Sequence, residues 1–318
     1  MKRNFFSISC LLLSLLAFCS CSSGKQKGNP NWMQEYDVNV AIDETFKPIM
    51  SDLVDSYGMA NTEANMKPVY VSEDSALRLL VRDSLRCCIA TRKLNENELA
   101  MVKSHNLGIR QSLIAYDAIA LVVNKNNKDS LITLQEIKDI VSGKITRWEQ
   151  LSHHSQKGEL KLVFDNSGSS TVRYMRDSLC NGKDLGGNVF ASEGKSNLSV
   201  LEMVKADPTI IGVVGANWLK SDSSAVLNDF RNLDFNVMRV CANPDTYSKY
   251  VRPYQRNIYM GYYPLVRTVY IMYTDPRATS HVRSFYFFVK GQKGQTIICN
   301  DSQLLPNAPV QVKNVSMD

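Results

Sequence analysis

The chain has 318 residues, of which 44% are hydrophobic and 21% charged, with a formal net charge of +6. That composition is globular; the basic excess is too small to argue for nucleic acid, although it suits the steering of an anionic ligand. The length that remains beyond the N-terminal segments suggests two domains of roughly 100–200 residues each.

Lys2 and Arg3 precede an apolar stretch made by Phe5, Phe6, Ile8 and residues 11–18. The stretch is shorter than the roughly 20 apolar residues of a membrane span, and it reads as a secretory signal over residues 1–20. Phe18-Cys19-Ser20-Cys21-Ser22 resembles a bacterial lipobox. The small Ser20 before Cys21 places the expected cleavage there, with lipid on the Cys21 thiol. Bulky Phe18 makes Cys19 the weaker candidate, and an ordinary signal peptide with incidental cysteines is the alternative. Residues 21–30 then form a polar, lipidated tether. No later run is long and apolar enough to cross a bilayer.

The body begins with a strand over 38–42 and a helix over 45–57, where Phe46, Ile49, Met50, Leu53 and Val54 keep helical spacing. A strand at 68–71, a helix at 75–85, a strand at 87–90 and an acidic-start helix at 96–103 follow. Residues 119–123 form a continuous apolar run, as in a strand buried on both faces. The helix predicted over 134–142 stops at Gly143. A strand at 161–164 leads through a Ser/Gly loop into a helix at 171–179. Then come a helix at 198–206, a strand at 210–214, a long strand at 265–273, an aromatic-rich helix at 282–288 and an irregular tail. The alternation predicts an α/β fold.

Apolar strands repeatedly run into small polar loops that open helices: Asp43-Glu44-Thr45, Thr91-Arg92, Asn166-Ser167-Gly168-Ser169-Ser170-Thr171 and Ser196-Asn197. A helix start offers unpaired N–H groups and partial positive charge, which favour an anion. Each loop alone is equally an ordinary cap; the combination points to a shared anion site. Once Cys10 and Cys19 leave with the signal and Cys21 is lipidated, Cys87, Cys88, Cys180, Cys241 and Cys299 remain, an odd number. Adjacent Cys87 and Cys88 in a strand point to opposite faces and read as packed thiols. His153 and His154 sit in a polar loop without a carboxylate or Cys cluster, so no metal site is expected. Asp117 either faces the cleft or serves a turn; Tyr116 and Phe285, Tyr286, Phe287 and Phe288 read as packing. Neither Ser169 nor Ser170 belongs to a Gly-x-Ser-x-Gly elbow, and none of His105, His153, His154 and His281 lies in a recognisable catalytic motif, so enzyme activity is not expected.

Several stretches together resemble the periplasmic phosphate-binding proteins of ABC transporters. They are Thr45-Phe46-Lys47-Pro48, Ala90-Thr91-Arg92 with its acidic helix, the crossing 116–124, residues 134–148 with Gly143-Lys144-Ile145 and Trp148, Ser169-Ser170-Thr171, Ser196-Asn197 with residues 211–215, and Tyr263-Pro264-Leu265-Val266-Arg267. The likeness covers most of the mature chain. It implies a two-lobed type II periplasmic-binding-protein fold, with two crossover segments and a cleft that closes like a hinge. Lobe 1 would be residues 31–118 plus 265–318, and lobe 2 residues 119–264. The implied function is capture of phosphate, without cofactor, by an exported, lipid-anchored monomer that delivers it to an inner-membrane ABC permease. An anion-sensing or envelope lipoprotein of the same fold, or a binder of another oxyanion, is the alternative. The implied ligand-binding residues are Thr45, Thr91, Arg92, Asp165, Ser169, Ser170, Thr171, Ser196 and Asn197. The chain departs from the family at two of these. Asp165 stands where many members carry Arg, and Arg92 where some carry Asp. An exchange of the two charges between opposite walls is the expectation, with Arg92 gripping the oxyanion and Asp165, or Glu44 in its place, accepting the proton that sulfate lacks.

Overall fold

A computed structural model describes residues 37–219, 230, 233–246 and 248–310. Cys21, the signal and the tether lie outside the described residues. Twelve strands among them are β1 (Asp37–Asp43), β2 (Asn65–Val71), β3 (Cys87–Ala90), β4 (Arg110–Asn124), β5 (Leu131–Thr133), β6 (Lys161–Phe164), β7 (Val189–Ala191), β8 (Ile210–Gly215), β9 (Phe235–Val237), β10 (Arg239–Cys241), β11 (Val266–Tyr273) and β12 (Leu305–Pro306). The helices are α1 (Lys47–Ala60), α2 (Glu73–Val81), α3 (Glu96–Ser104), α4 (Leu134–Val141), α5 (Ser170–Tyr174), α6 (Asn197–Ala206), α7 (Gln255–Tyr259), α8 (His281–Lys290) and α9 (Gln292–Asp301).

The main sheet runs β2-β1-β3-β11-β4-β8-β6-β7, with β9 and β12 also paired to β4. Strand β4 is shared by two halves. Its residues 110–118 pair with β11, and its residues 119–124 pair with β8 and β9. β1 is parallel to β2 and β3, and β6 is parallel to β7 and β8. The carboxyl ends of β1 and β3 in one half, and of β6 and β8 in the other, therefore meet where the halves join. In open α/β sheets that edge is where ligands bind.

The core divides the same way. One apolar cluster gathers Leu121, Val123, Trp148, Phe164, Val213 and Leu265; two others cover the opposite faces of the first half-sheet. Cys87 packs into one of these two and Cys88 into the other, as period-2 alternation requires. Burial pushes the Cys87 thiol up to about 12, and all five described cysteines are free.

Local chemistry sets the helix starts. Asn95 with Glu98, and Thr133 with Glu136, form reciprocal capping boxes at α3 and α4. Ser72, Ser169 and Ser196 cap α2, α5 and α6 by accepting from a backbone N–H three residues on. After α4, Gly143 takes φ +78°, and a Cβ there would come within 2.9 Å of Gly186 Cα, so both its conformation and its packing require glycine. Three expectations need correction. The tail is not irregular, because α9 and β12 cover the first half-sheet next to α8 and β4. The helix expected to reach residue 85 ends at Val81, and Asp83 takes φ +55° in the turn that follows. Phe287 is 52% exposed rather than packed.

Candidate functional site

Two parallel pairs of strands, running toward each other, end at the junction, and each strand delivers polar side chains there. β1 ends in Asp43, which accepts from the backbone N–H of Thr45 (3.1 Å) and turns the chain into α1. β3 leads to Thr91, whose N–H and hydroxyl both donate to Glu73 Oε1, at 2.7 and 2.6 Å. β6 leads to Asp165 and the Ser169-Ser170-Thr171 loop. β8 ends at Gly215, where a Cβ would lie 2.6 Å from Thr45 Cγ2, 3.3 Å from Asp117 Oδ2 and 3.4 Å from Arg267 Nη2. Only glycine lets these side chains close around that point.

At the centre stands Arg267 on β11, 5% exposed. Its Nε donates to Asp117 Oδ2 (2.9 Å), and its Nη2 is 2.8 Å from the same oxygen. Its Nη1 donates to Ser170 Oγ (2.7 Å), and Ser170 in turn donates to Asp43. The guanidinium lies over the Phe46 ring, 5.3 Å from its centroid, a favourable cation–π placement. A continuous chain thus runs from Asp117 through Arg267 and Ser170 to Asp43, joining the crossing strands to both halves. Beside it, Thr171 donates to Asp165 (2.9 Å) and shares a 2.8 Å hydrogen bond with Ser169.

Three further clamps span the halves. Arg173 holds Glu73 through Nε (2.6 Å) and Nη2 (3.3 Å) and reaches the Thr91 hydroxyl at 2.6 Å. Asn197 donates to Glu44 Oε2 from its side chain at 2.7 Å. Asn217 and the Trp218 indole both donate to the Thr45 carbonyl, at 3.0 and 2.8 Å. Thr45 Oγ1, Asn197 Oδ1 and Arg267 Nη2 are buried without a hydrogen bond to another protein group.

The electrostatics follow from burial. Asp43 is pushed up to about 7, first by desolvation and next by the nearby Glu73 charge, with Arg267 opposing. Burial also raises Asp117, Asp165 and Glu44. Glu73 behaves differently: burial pushes it up, but the bonds from Arg173 and Thr91 outweigh that and leave it lowered. Of three fully buried aspartates, Asp43 and Asp117 lean on the Arg267 guanidinium, while Asp165 is held by the Ser169 and Thr171 hydroxyls.

Among the nine residues expected from the sequence, Thr45, Asp165, Ser169, Ser170, Thr171 and Asn197 are buried at this junction, and Thr91 faces it through Glu73 and Arg173. Ser196 serves as the α6 cap. Arg92 stands apart: its two terminal nitrogens grip Glu98 at 2.7 and 2.8 Å, on a part-exposed surface. The guanidinium inside the junction is that of Arg267, and the charge exchange built on Arg92 has no counterpart in these contacts. Asp43, Glu73, Arg173 and Arg267 were not singled out. Arg267 ends the Tyr-Pro-Leu crossing, and a lone Arg opening an otherwise apolar strand was the available signal. His154 Nδ1 bonds the Leu151 carbonyl and His153 meets the Tyr250 ring edge-on. Among the described residues no cluster of metal-ligating side chains occurs, and no helix is long and apolar enough to cross a membrane.

The family model of the PBP superfamily domain matches residues 23–290. The chain belongs to the PBP superfamily. Relatives of this PBP-superfamily chain include the phosphate-binding protein PstS of Borreliella burgdorferi, 24% identical over 94% of this chain and 96% of that protein. Protein SphX of Synechococcus elongatus is 23% identical over 79% of this chain and 72% of its own length. Among solved structures, a putative phosphate ABC transporter substrate-binding protein with bound phosphate from Clostridium perfringens superimposes with a TM-score of 0.70, at 21% identity over 86% of this chain and all of that one. The two-lobed superfamily fold accounts for the two crossings between the halves, one within β4 and one in the segment that leads into β11.

Proposed function

We propose that this chain captures inorganic phosphate in the cleft between its lobes, residues 31–118 plus 265–318 and residues 119–264, and hands it to an ABC-type permease. The observation that carries the reading is Ser170, a hydroxyl from the second lobe held between the Arg267 guanidinium and Asp43 of the first. Arg267 supplies the planar cationic fork suited to an oxyanion. Thr45, Ser169, Ser170 and Thr171 supply hydroxyl donors, and Asn197 a side-chain amide. Asp43 and Asp165 supply buried acceptors for the proton of hydrogen phosphate, which fully ionised sulfate does not carry. Phosphate-binding relatives that span nearly the same length support the choice of ligand.

The same reading makes the protein exported and held at a membrane by lipid on Cys21, a monomer that binds without chemical conversion of its ligand. Calorimetry of the chain against phosphate and sulfate, with Arg267→Lys and Ser170→Ala in parallel, tests it. Phosphate binding with sulfate rejected, and weakening in both variants, is the expected result. Equal affinity for the two anions, or none for phosphate, would remove it.

A further inference from the structure

The end of the first lobe farthest from the cleft carries a second cationic feature. β11 runs from Arg267 at the cleft to Tyr273, a separation of about 20 Å at roughly 3.3 Å per residue. Tyr273 pairs with Arg110, the first residue of β4. There Arg110, Tyr273, Arg283, Tyr286, Phe287 and Lys290 line a hollow of about 260 Å³. Lys290 Nζ stands 4.8 Å from the Tyr286 ring centre, and the Arg283 guanidinium 5.7 Å from that of Phe287. Among the described residues Arg110, Arg283 and Lys290 form no ion pair with a carboxylate. Three acids at this pole are matched elsewhere, Asp37 with Lys67, Asp83 with Arg86, and Asp275 with Arg277 and Arg86, which leaves the exposed Glu63, two residues before the Asn65 that pairs with Asp37, against the three basic residues. The pole is left with surplus positive charge and one large aromatic ring, Phe287, in solvent.

The chain path adds a second observation. β1 is parallel to β3, and β3 is antiparallel to β11. Asp37, where β1 begins, therefore lies at the same pole as Tyr273 and Arg110, and Asp43 at the cleft. Asp37 lies sixteen positions after Cys21, so a lipid anchor on Cys21 restrains this pole to within roughly 55 Å of the bilayer.

We infer that this pole docks on an anionic phospholipid surface, a lipid phosphate seating among Arg110, Arg283 and Lys290 while Phe287 enters the headgroup layer. Basic residues near such a surface are attracted to it, and an aromatic ring suits its interface. A lipid anchor on Cys21 would hold the chain near the bilayer, and the basic patch then sets which pole faces it. The inference rests on the reading that Cys21 is lipidated.

The test uses the mature chain with Cys21→Ser, so that no acyl chain contributes, sedimented with phosphatidylglycerol–phosphatidylcholine vesicles and with phosphatidylcholine alone. Binding to the anionic vesicles only, falling with salt, is expected. Arg110→Gln combined with Lys290→Gln should weaken it by roughly thirtyfold, while the charge-keeping Arg110→Lys retains it. Unchanged thermal unfolding and phosphate calorimetry in the double variant exclude a folding failure. Equal binding of parent and double variant, or equal binding to both vesicle types, would overturn the docking. So would displacement by millimolar inorganic phosphate at constant ionic strength, which would mark a free-anion site. Mass analysis of the native N-terminal peptide reads the lipid on Cys21 separately, so failure of the anchor and failure of the patch are distinguishable.

Discussion

Arg92 and Arg267 each hold a carboxylate, yet they do so in different surroundings. The Arg92–Glu98 pair is bidentate with about a quarter of the Arg92 side chain exposed. Water there already solvates both charges, so the pair adds little. Arg267 is 5% exposed, opposite an Asp117 that is fully buried. Neither charge can be left alone there without a large desolvation cost. The first pair decorates a helix start; the second ties two crossing strands to both lobes. The comparison shows that the chemical type of a pair says less than the water it has lost.

The sharpest way to break this contrast is Arg267→Ala. It strands Asp117 without its countercharge and removes the partner of Ser170, so denaturant unfolding should show a loss of about 3–5 kcal/mol. Arg267→Met, which fills the volume without charge, should also abolish phosphate binding. If either variant keeps parental stability and affinity, the central role of Arg267 is lost. Ser170→Ala is next. It removes a hydroxyl that joins a guanidinium to a carboxylate, worth about 1.5–3 kcal/mol for bonds to charged groups, and calorimetry should record phosphate affinity lowered roughly tenfold or more.

The buried acids sharpen the contrast through pH. Asp43 is raised from 3.8 to about 7, so between those values the folded state holds a proton that the unfolded chain has released. Stability must therefore fall as pH rises across that window and level off above it. Asp117, Asp165 and Glu44, also raised, push in the same direction. Glu73, lowered, works against them only as pH drops below its unfolded value of 4.5. Denaturation of the unliganded chain from pH 4.5 to 8 should show the decline, and Asp43→Asn should flatten it; a rise would contradict the burial argument. The smallest effect belongs to Arg92→Ala: a stability change under about 1 kcal/mol and phosphate affinity unchanged. A large loss of affinity there would restore Arg92 to the site.

Much of this was legible before any coordinates. Strand β3 occupies the expected residues, and β1, β6, β8 and α6 lie within a residue of theirs, because apolar runs and Ser, Asn or Asp stops act locally. The loops bearing Thr45, Asp165, Ser169 and Thr171 were found because hydroxyl residues before helices leave a visible pattern. Helix α9 was missed because Gln292, Lys293, Gly294 and Gln295 open it without a side-chain cap, and its apolar side is short. Arg173 and Glu73 were missed because they lie 100 residues apart in the chain, and nothing in either neighbourhood announces the other.

What the amino-acid order determined by itself is what short-range forces decide: the alternation of strands and helices, the capped loops, the opposite faces of Cys87 and Cys88, and the resemblance those motifs carry. Tertiary structure alone decided which charges lose their water. Arg267 and Arg92 differ little as side chains, and only the meeting of the two lobes over the start of β11 buries one of them and leaves the other wet. Desolvation depends on everything that surrounds a group, including residues a hundred or more positions away, so a local reading of the chain does not contain it.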